Sequence, residues 1–217
     1  MRPFLRLACW LGVLAAIAPI AAPFAQGYPT KAVRLVVPFP PAGAADLLAR
    51  ALGQNLAANW GQPVVIDNRP GAGGNIGAEA VARAAPDGYS LLLAATTTHA
   101  VSMSLYTKTG YDIERDLMPV SLVANVPHIL VAHDTAGRTL AEVIAYLKAQ
   151  SGKANFASQG NGTLSHLEYE LMRSMAGFSA QHVPYKGSAP ALVDLLNGTV
   201  VLFFDSIPSA LPHVRSG

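Results

Sequence analysis

After residue 30 the chain repeats one unit: a short β-branched or apolar run, a turn of glycine, proline and alanine, then a segment with helical periodicity. The valines and Leu35 at 33–37 read as a strand. Leu47, Leu48, Ala51, Leu52 and Leu56 then share one face of a helix over 46–59, which Gly61 stops. A strand at 64–66, the turn NRPGAGGNIG and a helix through Arg83 come next, followed by a strand at 89–95, the turn TTTH and a helical stretch to about Leu105. The run at 89–95 is nearly all apolar, as a strand covered on both faces should be. Around Pro127 two short strands, 120–124 and 128–131, stand close together and read as a crossover between two lobes. Thr139 then caps a helix to Ser151, strand–loop–helix units follow at 155–176 and 181–197, and a strand at 200–204 comes last. Such repetition leaves few architectures, and an α/β fold with mostly parallel sheets is the expected one. The expected division is lobe 1 over 26–124 and lobe 2 over 125–217. The second lobe ends at PHVRSG with no helix over its last strand, so its C-terminal part is expected to be missing.

Residues 1–25 stand outside this pattern. Arg2 and Arg6 precede an apolar stretch from Leu7 to Ile20 and then small residues, the layout of a cleaved secretory signal peptide. The stretch is too short, and too broken by Pro19 and Pro23, for a membrane span. A periplasmic protein cut after Ala25 is expected. Without Arg2 and Arg6, the 15 basic residues fall to 13, matching the 13 acidic ones. No basic patch remains to attract nucleic acid or an anionic membrane. Cys9 is the single cysteine and leaves with the leader, and the six histidines are scattered without metal-ligand spacing, so neither metal nor cofactor is expected.

Four loops open helices in places where α/β sheets bind ligands: PFPPAGAAD (38–46), ATTTH (95–99), SQGNGTLSH (158–166) and PYKGSAP (184–190). A helix start offers main-chain N–H donors and partial positive charge, and small residues let a ligand approach them. Phosphate loops add Lys or Ser/Thr at that point. PFPPAGAAD has neither, which favours a small carboxylate held by Phe39, Ala42, Gly43 and Ala44. Asp46 either caps the new helix or meets the ligand, directly or through water. Thr98 and His99 mark the second loop, Ser158, Gly160, Asn161, Gly162, Thr163 and His166 the third, and Tyr185 and Gly187 the fourth. His99 and His166 either contact ligand or bond within their turns, and Tyr185 either lines the cleft or packs beneath it. Lys186 is either a cleft cation or a solvated one. Asp205 either caps the Ser206 turn or edges the cleft.

The runs YPTKAVRLVVPFPPAGAADLLAR, QPVVIDNRPGAGGNIGAEAVARAAPDGYSLL, NFASQGNGTLSHL and HVPYKGSAPALVDLLNG closely resemble the Bug-type solute-binding receptors of tripartite tricarboxylate transporters. The resemblance implies a type II periplasmic-binding-protein fold, a Venus flytrap of two lobes closing on a carboxylate, often a di- or tricarboxylate. It implies that the loops 39–46 and 158–166 hold the ligand, largely through backbone groups and waters. It also implies membrane transporter subunits as partners, and a monomer is expected. Family members usually carry glycine at the position of Ala42, and they continue beyond residue 217, so a fragment or a truncated gene product is expected. A sensor component feeding a two-component system is the alternative role.

Rival chemistries find little support. Gly71, Gly73 and Gly77 miss G-x-G-x-x-G spacing by one residue, so that segment reads as a structural turn or a gating element. GTLSH is no nucleophile elbow, and no enzyme is expected.

Overall fold

The structure, a computed structural model, describes residues 27–216. The leader expected over residues 1–25 lies outside the described residues. The amino-terminal lobe begins with β1 (Val33–Val37), whose valines and Leu35 are buried, and runs into α1 (Ala44–Trp60). Gly61 ends α1 in the left-handed conformation and returns its N–H to Ala57, a glycine helix stop. β2 (Val64–Asn68), α2 (Asn75–Ala82), β3 (Ser90–Leu92), α3 (Thr96–Leu105) and the short α4 (Ile113–Asp116) follow. The sheet order is β2-β1-β3, all parallel, so β1 is central. Leu35, Val37 and Ala49 form its core with Leu52, Val64, Ile66 and Leu91. α1 lies so close to β2 that a Cβ at Gly53 would stand 3.0 Å from Ile66.

The second lobe contains β4 (His128–Ala132), α5 (Leu140–Ala149), β5 (Asn155–Ser158), α6 (Leu164–Ala176), β6 (Gln181–Pro184), α7 (Ser188–Leu196), β7 (Leu202–Ser206) and α8 (Ile207–Ser216). Thr139 caps α5 in a capping box with Glu142, as the sequence indicates. The sheet order is β4-β7-β5-β6, with β4 antiparallel to β7 and the other pairs parallel. Alternation along the strands gives this sheet two buried faces. Phe156 and Leu202 join Val143, Leu147 and Tyr169 on one side, while Ala157 and Phe203 join Ala191, Leu192 and Leu195 on the other.

Two expectations fail here. Residues 120–124 form no strand. Met118, Val120 and Leu122 are exposed, and strand propensity without a neighbouring strand to take its hydrogen bonds does not make a strand. The last strand does have a helix after it. α8 packs on β4 and β7, with Pro208 in its first turn where no N–H is needed. Its start is fastened by Ser209, which donates to Asp205 Oδ2 at 2.7 Å.

Candidate functional site

The carboxyl ends of β1, β5 and β6 face one another across a cavity of about 150 Å³. The first lobe contributes Pro38 and Phe39 after β1, the turn Gly71–Gly74 and Tyr106 at the end of α3. The second contributes Gln159, Gly160 and Asn161 after β5 and Pro184, Tyr185 and Lys186 after β6. The lobes meet main chain to main chain around it. Gly73 has φ +63, and a Cβ there would stand 2.7 Å from the Asn161 carbonyl oxygen. The Tyr106 hydroxyl donates to the same oxygen at 3.2 Å. A Cβ at Gly187 would stand 2.6 Å from Pro40 Cδ. Glycine is what lets the cleft shut at these points.

The wall is nearly neutral. Among the described residues it contains no acidic side chain, and Lys186 is its one cation. Lys186 is exposed and has no carboxylate partner among the described residues. Tyr185 donates its hydroxyl to Asp194, and burial, reinforced by that carboxylate, pushes its phenol up to about 12. Gln159 Nε2 is held by Ser188 Oγ at 3.1 Å and Asp205 Oδ1 at 2.7 Å. Among the described residues, the main-chain N–H groups of Asn161 and Lys186 have no partner. The cavity thus offers donors and one positive charge, a setting for an anion.

Residues 48–217 match the family described as tripartite tricarboxylate transporter family receptor. The chain belongs to that family. It is 43% identical to Protein BugT of Bordetella pertussis over 98% of this chain and 66% of that protein. Among solved structures, R. palustris Rpa4515 with adipate is 38% identical with a TM-score of 0.85, covering 88% of this chain and 64% of that one. MatC (Rpa3494) from Rhodopseudomonas palustris with bound malate is 34% identical with a TM-score of 0.81, covering 87% and 65%. The chain therefore spans just under two thirds of the length of these relatives. Its two α/β lobes are those of a periplasmic binding protein of the type II, Venus-flytrap kind.

Of the residues that sequence reasoning singled out in this chain, Phe39, Gly160, Asn161 and Tyr185 line the cavity. The others shape it from behind. Ala42 has φ 67, a left-handed conformation that suits the glycine the resemblance implies there. Its N–H is not offered outward as expected, because it donates to Asp46 Oδ2 at 3.0 Å. Gly43, not Asp46, is the N-cap of α1. Gly43 and Ala44 are buried, with Gly43 turned toward Ser188. Asp46 is buried and also accepts from Arg50 and Asn68. Burial opposes its charge, but those donors and the Ala42 N–H together hold its carboxyl below the ordinary range.

Thr98 and His99 are buried inside α3. His99 Nδ1 meets the Ala95 carbonyl at 2.9 Å, while Nε2 has no partner and the ring packs against Gly74. Burial pushes its pKa down, which favours the neutral ring. Ser158 is buried against His182 Nε2 at 2.6 Å and accepts the Gly160 N–H. Thr163 donates to the Gly160 carbonyl, and Gly162 N–H donates to His166 Nδ1. Gly187 meets Pro40 across the cleft. Asp205 is buried and accepts from Ser188, Gln159 and Ser209, which ties α7, the β5 loop and α8 together. The carbonyl of Thr98 accepts from Ser102.

Of the other wall residues, Pro38, Gln159 and Pro184 belong to loops that the sequence marks, the turn Gly71–Gly74 reads there as structural or gating, and Tyr106 carries no sequence signal. The glycine run was the available signal. Its position across from the β5 loop was not.

Proposed function

We propose that the protein is a periplasmic solute-binding receptor that captures a small carboxylate, a di- or tricarboxylate, and delivers it without chemistry to the membrane subunits of a tripartite tricarboxylate-type transporter. One observation carries this reading: a cavity of about 150 Å³ between two lobes, with open main-chain donors, one lysine and no acid in its wall. Hydrogen bonds to a charged group contribute roughly 1.5–3 kcal/mol each, so a few of them reach the ~8 kcal/mol of micromolar binding. Relatives solved with adipate and with malate support it, as does family membership. The leader over 1–25 directs export, lobe 1 runs to residue 124, and the receptor acts as a monomer. Ser158 and His182 serve loop shape, since the serine is fully buried and already bonded to Gly160.

Isothermal calorimetry against mono-, di- and tricarboxylates tests the reading. We expect micromolar binding of at least one di- or tricarboxylate. Folded protein that gives no heat with any of them would sink it.

A further inference from the structure

We infer that Lys186 sets the ligand's charge: it pairs with a second carboxylate, so the receptor prefers dicarboxylates to monocarboxylates of the same chain length. This deepens the carboxylate reading and rests on it. The geometry is specific to this side chain. Every other wall residue is uncharged, and the polar ones among them are largely committed. Tyr106 bonds Asn161, Tyr185 bonds Asp194, and the Gln159 amide bonds Ser188 and Asp205. Lys186 follows Tyr185 out of β6 and is exposed, so it stands at the solvent side of a cavity whose inner wall is buried Pro38 and Gly74.

A first carboxylate can be satisfied by open main-chain donors such as the Asn161 N–H. A second one needs a further partner, and an unpaired ammonium at the rim requires little desolvation to meet it. An exposed lysine in an ion pair is ordinarily weak. Donors that fix the ligand's other end spare such a pair part of the entropy it would otherwise lose. With no acid in the wall to compete, the ammonium is free for the ligand.

The test is calorimetry on the unchanged protein, Lys186→Met and Lys186→Arg, with succinate and butyrate as probes at two salt concentrations. We expect Lys186→Met to weaken succinate binding about tenfold or more and butyrate binding less than about threefold, and to flatten the salt dependence of succinate binding. Lys186→Arg, which keeps the charge, should retain most of the succinate affinity. Equal losses for the two acids, or no loss for either, would overturn the assignment while leaving the carboxylate reading in place. If the unchanged protein binds neither these nor any other carboxylate, both fall together.

Discussion

At the scale of single residues, the buried Asp46 decides where the Ala42 N–H of the first loop points. PFPPAGAAD reads as a set of offered N–H groups, yet the buried Asp46 turns the Ala42 N–H back on its own loop. The cost of that turn falls on Ala42, at φ 67. A left-handed conformation costs an L-residue roughly 1–2 kcal/mol. Glycine removes that cost, offset by about 0.5–1 kcal/mol of extra freedom in the unfolded chain. Ala42→Gly should therefore stabilise the protein by on the order of 0.5–1 kcal/mol, seen as a melting temperature higher by about 1–4 °C. An unchanged or lower value would mean that the loop is not strained at Ala42.

At the scale of elements, hydrophobic period and glycine punctuation made most strands and helices legible, because each is specified locally. The exceptions depended on partners. Residues 120–124 have strand composition but no adjoining strand, and the helix of α8 depends on Asp205 and Ser206 holding Ser209. The β5 loop shows a similar dependence on a distant element, since His182 of β6 supports Ser158 and stacks on His166 with ring centroids 4.1 Å apart. Burial, and next the neighbouring His166, push His182 from its ordinary 6.5 down to about 4. The folded state thus favours the neutral ring, and the unfolded chain takes up protons first as pH falls. This contribution to stability is complete above about pH 6.5 and is lost as pH falls through about 4. Thermal melts from pH 7 to 4 should show that loss, and His182→Gln should flatten it. An identical pH profile in the variant would remove His182 as the cause.

At the scale of the whole molecule, the cavity could not be read from sequence, because its wall is assembled from residues as far apart as Pro38 and Lys186. What closes it is the near contact of Gly73 with the Asn161 carbonyl. Gly73→Ala should cost the fold roughly 1–2 kcal/mol for a left-handed alanine. It should also weaken binding, by about tenfold or beyond, because apparent affinity falls with the fraction of closed molecules. Small-angle scattering would register the wider cleft, and unaltered affinity with an unaltered radius would show that the contact is not the limit to closure. A further consequence belongs to strand order. β7 lies between β4 and β5, so His128–Ala132 find their hydrogen-bonding partners only once Leu202–Ser206 have been made. Distant pairing of this kind retards folding. A receptor exported as we propose gains from such tardiness, since it stays pliable until it has crossed the membrane.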